Sequence, residues 1–169
     1  LGREVRTHSE SLIGVRFSNT AEPMSQGVAI AAGGNPDEHT KIEAVRYPRG
    51  SNWMSLLVMP LVTGERVASR IGQALWQLVT EPRSFFRGLN PANFATETLI
   101  LLVMQSLDSK MRFAWRRRFL TGFKRSLAAE YEPGQRPPLH IEAGNRFARK
   151  LAANYGGEPG GSIADVLGM

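Results

Sequence analysis

A chain of 169 residues that is 42% hydrophobic is long enough to bury a sizeable core in one domain. Its 21 lysine and arginine residues exceed its 15 aspartate and glutamate residues, and the formal charge of +6 leaves open an anionic partner such as nucleic acid or a lipid surface. The absence of cysteine excludes disulfides and thiolate metal sites.

The first sixty residues predict short strands. "SLIGVRF", with Leu12, Val15 and Phe17, has the spacing of a strand, and "GVAIAAGG" and "HTKIEAVRY" follow as two further strands. The turn-forming residues 35–37 are expected to connect these two. A fourth apolar run, "WMSLLVMPL", is expected to be a strand or a buried segment.

The period then changes to that of a helix. In "ERVASRIGQALWQLV" the apolar residues Val67, Ile71, Leu75 and Leu78 recur three or four positions apart, which predicts an amphipathic helix with these residues on its apolar face. Pro82 stands just past its end. The segment "SFFRGLNPANF" that follows is rich in turn-forming residues and is expected to be a connector.

Strands and a last helix make up the remainder. "TLILLVMQSL" predicts an apolar strand, and "KMRFAW" predicts a strand whose Met111, Phe113 and Trp115 form a core face, with "LDSK" as the hairpin turn between them. "IEAGNRFARKLAANYGG" predicts a final helix with Gly156 as its C-terminal cap. We therefore expect an α+β fold: a mostly antiparallel sheet of about five or six strands flanked by helices.

The glycine-rich end, "YGGEPGGSIADVLGM", has the composition of a phosphate-binding loop but not its context. A helix rather than a strand precedes it, and its paired glycines match neither G-x-G-x-x-G nor G-x-x-x-x-G-K-[ST]. The sequence predicts a flexible turn between two helices.

The residue types that carry chemistry show no recognised catalytic spacing. His8, His39 and His140 do not stand at metal-ligand spacing, so no metal site is expected, and "THSESL" lacks the strand–turn–helix context of a serine hydrolase. The basic and aromatic residues of 110–125, "KMRFAWRRRFLTGFKR", fit three hypotheses: a solvated sheet face, a nucleic-acid site or a lipid-headgroup site.

Four separated phrases resemble one family. "LGREVRTHSESLIGV", "HTKIEAVRYPRGSN", "LLVMQSLDS" and "NRFARKLAANYGGEPGGSIADVLGM" resemble the mid-to-late part of bacterial cholesterol-oxidase-like members of the glucose-methanol-choline (GMC) flavin oxidoreductases. The resemblance covers most of the chain and is weak through "MRFAWRRRFLTGFKR". It implies a fragment of an FAD-dependent alcohol or sterol oxidoreductase, in which hydride passes from an alcohol carbon to the flavin.

The resemblance also implies which parts of such an enzyme lie elsewhere. In that family the flavin fingerprint lies far upstream, and the catalytic histidine and asparagine lie just downstream. We expect residues 1–155 to form an incomplete substrate-binding domain and residues 156–169 to be a linker returning toward the flavin domain. No catalytic residue is then expected in the fragment, which should be inactive and should not bind FAD alone.

Candidate site residues follow from the resemblance and from side-chain chemistry. The stretch with His8, Ser9 and Glu10 resembles the place where the family's chain passes closest to the flavin, so these residues are candidates to face the active site. Substrate-pocket candidates share an adaptable or flat apolar side chain. They are Trp53, Met54, Leu57 and Met59. The resemblance implies that a glutamate of the substrate domain would isomerise the sterol double bond; because this run has Ser55 and no carboxylate, isomerisation is not expected.

The expected partners are a small hydrophobic alcohol or sterol and the rest of the flavoenzyme. Nucleic acid is not expected, and contact with a membrane surface stays open. The first residues lack the apolar core of a signal peptide, and no run reaches the ~18 apolar residues of a membrane span, so a cytoplasmic or membrane-peripheral location is favoured. The alternative from another class is a basic module that binds anionic lipid or nucleic acid through residues 110–125.

Overall fold

The computed structural model describes residues 4–6, 9–18, 20, 22–107, 110–117, 122–131, 138 and 140–168. It confirms the α+β class. In chain order the elements are β1 (Val5–Arg6), β2 (Ser9–Phe17), β3 (Ile30–Gly34), β4 (Thr40–Val45), a 3-10 helix (Ser51–Leu57), β5 (Val58–Pro60), α1 (Val67–Thr80), α2 (Pro82–Leu89), α3 (Phe94–Glu97), β6 (Thr98–Gln105), β7 (Lys110–Arg117), β8 (Arg125–Tyr131), α4 (Glu142–Tyr155), β9 (Gly157–Ser162) and α5 (Ile163–Leu167). None of the helices within these ranges is both long and apolar enough to cross a membrane.

The chain divides into two units, which we describe separately. The larger comprises Glu10–Gln105 and Leu139–Met169, and the smaller comprises Leu1–Ser9 and Ser106–Pro138. The larger unit holds a six-stranded sheet with strand order β3-β4-β6-β2-β9-β5. Every pair of its strands whose register the structure describes is antiparallel, as the sequence predicts.

The core of the larger unit forms where α4 packs on the sheet. Alternate residues of β2 and β6 point toward the helix, among them Ile13 and Val103, and both are buried. Helix α4 meets them with small residues, because a Cβ at Gly144 would lie 2.8 Å from a Val103 methyl and 3.0 Å from Ile13 Cδ1. The sequence "AGNRFARKLAA" therefore buries a stripe that includes Ala148 and Ala152.

The glycine-rich segment after α4 is a strand and not the predicted turn. Gly156 does cap α4 in the left-handed conformation, with φ 69°. The next six residues form β9, which pairs with β2 on one side and with β5 on the other. Glycine is required at 157 because a Cβ there would lie 2.7 Å from Val15 Cγ1 and 2.9 Å from the Phe17 ring. Non-local pairing, invisible in the local pattern, decides this element.

Helix α1 forms where the sequence predicts it, but its apolar face is not its buried face. Ile71 and Leu75 are exposed, whereas Arg70 and Ala74 are buried. Burial lowers the pKa of the Arg70 guanidinium, and the negative charges of Asp165 and Glu65 oppose that shift. Helical spacing predicts that a helix forms but not which side the neighbouring elements cover.

Two further segments between the strands differ from prediction. The expected connector at 84–94 contains most of α2, which begins with Pro82 in its first turn, the position where proline is favoured. The run expected to be a strand or buried begins instead as the 3-10 helix, which leaves Trp53 and Leu57 exposed, and only Val58–Pro60 are extended.

The smaller unit contains a three-stranded sheet with order β1-β7-β8. Strand β7 pairs with β8 rather than with β6, so the predicted hairpin of β6 and β7 is wrong, and β8 has no counterpart among the predicted strands. The expected core face of β7 is also wrong, since Phe113 and Trp115 are exposed. All of "PGQRPP" except Pro138, and the two central residues of "LDSK", lie outside the described residues.

A capping box at the start of α5 gives a testable stability prediction. The Ser162 hydroxyl accepts a hydrogen bond from the Asp165 N–H at 3.2 Å, and the Ser162 N–H donates to Asp165 Oδ2 at 3.1 Å. Replacing Ser162 by alanine removes the cap, so we expect the free energy of unfolding to fall by about 1 kcal/mol in urea titration. Ser69→Ala on the exposed part of α1 is the control and should change it by less than about 0.5 kcal/mol. Equal losses would contradict the capping role.

Candidate functional site

A cavity of about 340 Å³ opens in the larger unit, bordered by strands β2, β5 and β9 and by helices α1 and α2. Both polar and apolar side chains line it. The lining residues are Gly14, Arg16, Val58, Met59, Pro60, Leu61, Gln77, Glu81, Ser84, Phe85, Gly88, Phe94, Thr98, Arg149, Gly157, Glu158, Pro159 and Gly160.

Strand alternation explains how β2 serves both the core and the cavity. Val15 and Phe17 are among the core residues, whereas Gly14 and Arg16, of opposite parity, line the cavity. Gly14 leaves space in the cavity because it has no side chain. A Cβ added at this position would lie 3.4 Å from Thr98 Cγ2. A glycine within a strand commonly marks such a close approach.

Arg16 fixes one wall of the cavity. The residue is only 7% exposed, and its guanidinium donates a hydrogen bond to Glu97 Oε2 at 3.0 Å. It also donates to the carbonyls of Arg87 at 2.6 Å and Asn90 at 2.8 Å, and to that of Ala92. The Arg87 carbonyl lies in the last turn of α2 and those of Asn90 and Ala92 follow the helix, so a single side chain of β2 holds the end of α2 and the segment before α3 in place.

Two further polar groups border the cavity. Arg87 Nη1 lies 3.4 Å from Glu158 Oε1, which ties α2 to β9 by a partly exposed ion pair. The hydroxyl of Thr98 is buried and has no hydrogen-bond partner among the described residues. A buried hydroxyl without a hydrogen-bond partner lowers stability.

The structure brings one of the predicted pocket residues into this lining. Met59 lines the cavity, whereas Trp53, Met54 and Leu57 lie outside its lining. Their role as substrate contacts stays a prediction. The buried Ser55 of the same run donates its hydroxyl to the Leu89 carbonyl at 3.0 Å, a structural contact.

Two of the residues expected to face the active site, Ser9 and Glu10, begin β2. His8 lies outside the described residues. Ser9 is buried and Glu10 is exposed, as neighbours on one strand should be when they point to opposite sides. Glu10 shares its parity with Gly14, so it projects from the sheet face that borders the cavity. Whether these residues face an active site stays a prediction.

Four cavity residues escaped prediction because they lie in the segment 84–94, which was expected to be a connector. Phe85, Gly88 and Phe94 come from α2 and α3. A signal was available in Pro82, because proline is favoured in the first turn of a helix. Gly88 and the Asn90-Pro91 pair, which suggested a loop, instead mark the end of α2.

The glycine-rich segment is not arranged as a diphosphate-binding loop for FAD. The glycines of β9 lie within a paired strand, not at a strand-to-helix turn, and the first turn of α5 is occupied by the Asp165 carboxylate. A negative group at that position opposes phosphate binding. Within the described ranges, no group of three histidine, aspartate or glutamate side chains is placed to hold a metal ion.

The larger unit is thus an α+β unit with a cavity of mixed polar and apolar lining beside its antiparallel sheet. The chain is 38% identical over 167 residues to a protein named cholesterol oxidase from Acinetobacter baumannii, a match that covers 99% of this chain and 30% of that protein. It is 33% identical over 175 aligned residues to proteins of the same name from two strains of Mycobacterium tuberculosis, again covering 30% of their length.

No family model and no solved structure matches the chain. The chain is nevertheless a homologue of cholesterol oxidases, which are GMC-family enzymes, and it spans about 30% of the length of these curated relatives. The family resemblance of the four sequence phrases is thereby confirmed.

Proposed function

We propose that the chain is the substrate-binding portion of an FAD-dependent oxidoreductase that acts on a hydrophobic alcohol or sterol. The observation that carries this proposal is the match of the whole chain to one segment of proteins named cholesterol oxidase. The diphosphate-binding part and the catalytic histidine and asparagine are, in this proposal, supplied by other parts of the enzyme.

The geometry of β2 supports a site for an elongated substrate. Glu10 and Gly14 project from the same face and are four residues apart, or about 13 Å at roughly 3.3 Å per residue. An alcohol with its apolar body in the cavity could therefore extend along β2 toward Glu10, the residue of the larger unit that we expect to face the active site. The apolar part of the lining, which includes Phe85 and Met59, suits such a body.

In this arrangement the chain's own residues bind and orient the substrate and exclude water from it. FAD, when bound, supplies the acceptor of the hydride from the alcohol carbon. The cavity removes the apolar part of the substrate from water, and polar residues of its lining, such as Gln77 and Ser84, offer hydrogen-bonding groups. The wall held by Arg16 keeps the shape of the cavity fixed, which positions the substrate.

A chimera tests the proposal in a complete enzyme. We expect the Acinetobacter baumannii relative, with its matching segment replaced by this chain, to retain flavin and to oxidise a hydrophobic alcohol. Adding Gly14→Leu should fill the cavity and lower kcat/KM at least about ten-fold, a transition-state loss of about 1.4 kcal/mol, without loss of flavin.

The control is Gly72→Leu on the exposed side of α1, where nothing lies within 4 Å of an added Cβ. This change should leave kcat/KM unaltered. Flavin absorbance and alcohol oxidation are measured in parallel for all forms. Stoichiometric flavin in the isolated chain, or a Gly14→Leu chimera as active as its parent, would contradict the proposed division of labour.

A further inference from the structure

The hairpin of β7 and β8 carries an apolar surface that its own sheet leaves uncovered. The cross-strand pairs Met111–Tyr131, Phe113–Ala129 and Trp115–Leu127 lie side by side on one face. We call these six residues the apolar hairpin face. Trp115 is 68% exposed, Leu127 is 58% exposed and Phe113 is 43% exposed. Contiguous apolar surface of this kind commonly marks an interaction site.

Positive charge borders this face. The next cross-strand pair on the same face is Arg117–Arg125, two like charges directly opposite each other, an arrangement that is unfavourable unless an anion lies nearby. The described residues 110–117 and 122–131 contain six basic side chains and one acidic one, Glu130, a net charge of +5.

The opposite face of the hairpin is organised differently. Glu130 accepts hydrogen bonds from Arg112, at 3.1 Å, and from Arg116. The bond from Arg116 lowers the pKa of the Glu130 carboxyl, with a smaller lowering contribution from Arg112. Two arginines are thus engaged within the sheet, while the pair Arg117–Arg125 shares its face with the aromatic residues.

We infer that the apolar hairpin face and the Arg117–Arg125 pair together dock on an anionic lipid surface. Tryptophan and other aromatic side chains favour the boundary between headgroups and acyl chains, and arginine extends its apolar stem while its charge stays at the level of the phosphates. Basic residues near such a surface are attracted to its negative charge.

The segregation of the two residue types favours lipid over nucleic acid. A single-stranded nucleic acid needs cations that follow its backbone alongside the stacking aromatic rings. On this face three apolar pairs are contiguous and the cationic pair lies beyond them, which matches the layering of a bilayer surface. This inference does not depend on the proposed oxidoreductase function.

Vesicle sedimentation with the intact protein tests the inference. Vesicles of phosphatidylcholine are compared with vesicles that also contain phosphatidylserine. We expect stronger binding to the phosphatidylserine vesicles, weakened by added salt. Trp115→Thr, which keeps a residue that favours strands, should weaken that binding at least about five-fold. Trp76→Gln is the matched control, because Trp76 of α1 is also 68% exposed, and it should bind as the parent does.

A second pair of variants tests the charge. Arg117→Glu combined with Arg125→Glu should weaken binding to phosphatidylserine vesicles at least about ten-fold. Arg66→Glu combined with Arg83→Glu makes the same change in net charge on exposed residues of the larger unit and should have a much smaller effect. Thermal melts verify that each variant is folded.

Several outcomes would overturn the inference. The inference is wrong if the hairpin variants and their controls lose vesicle binding equally. It is also wrong if the protein binds both kinds of vesicle equally, or if the folded parent binds neither. Tighter binding to single-stranded nucleic acid than to vesicles would replace it with the nucleic-acid site. A dimer in solution that Trp115→Thr dissociates would assign the face to a second copy. Protection of Trp115 from acrylamide in the vesicle-free intact protein would assign it to another part of the polypeptide.

Discussion

Replacing Arg16 by methionine is expected to lower the free energy of unfolding by about 3–5 kcal/mol, the usual cost of removing one partner of a buried charged network. Methionine has a similar length but no donors, so the Glu97 carboxylate and the three carbonyls at 87, 90 and 92 lose their hydrogen bonds together. Urea titration followed by circular dichroism measures the loss.

Two controls distinguish the network from charge alone. Arg16→Lys keeps the positive charge but not the planar fork that reaches several acceptors, so we expect an intermediate loss. Arg87→Met removes a partly exposed ion pair with Glu158 and should cost no more than about 1 kcal/mol. If Arg16→Met cost no more than Arg87→Met, the role of Arg16 in fixing the cavity wall would be wrong.

The second large effect is expected from replacing glycine by alanine in two helices, which should change the free energy of unfolding in opposite directions. Gly144→Ala should lower the free energy of unfolding by about 1–3 kcal/mol, because the added Cβ would meet two Val103 methyls at 2.8 and 2.9 Å in a close-packed core. Gly72→Ala lies in the middle of α1 with nothing within 4 Å of the added Cβ. There, alanine's higher helix propensity should raise the free energy of unfolding by about 0.5–1 kcal/mol.

Each change replaces a helical glycine by alanine, so helix propensity contributes alike to both. The difference between the two measurements therefore isolates the contact between α4 and the sheet. Thermal unfolding of both variants and the parent gives that difference directly. A stabilising Gly144→Ala would mean that α4 does not approach β2 and β6 as closely as the structure shows.

Periodicity alone was sufficient for the elements with a strong local pattern. The alternation in β2 and β4 and the helical spacing in α1 and α4 predicted these elements, and Gly156 was predicted as the cap of α4. The four family-like phrases likewise predicted the homology with cholesterol oxidases. Such features succeed because each residue's preference agrees with the structure that its neighbours form.

Elements set by distant partners could not be predicted in this way. Glycine-rich residues 157–162 have low intrinsic preference for a strand, yet they pair with β2 and β5, and neighbouring side chains leave no room for a Cβ at Gly157 or Gly160. Helix α2 was obscured because the turn-forming residues at its end dominated the local composition. Pairing across the sheet therefore decides that residues 157–162 form β9, and β9 in turn borders the cavity.

The sequence by itself determined the α+β class, the positions of the strongly periodic elements and the family. Only the tertiary structure decided which faces are covered: α1 buries Arg70 and exposes Leu75, and β7 exposes Trp115 although its alternation predicted a core face. A period of two or of 3.6 residues divides side chains into faces, but it carries no information about what packs on each face. Burial depends on chain segments far apart in sequence, and so does the cavity formed by β2, β9 and α2.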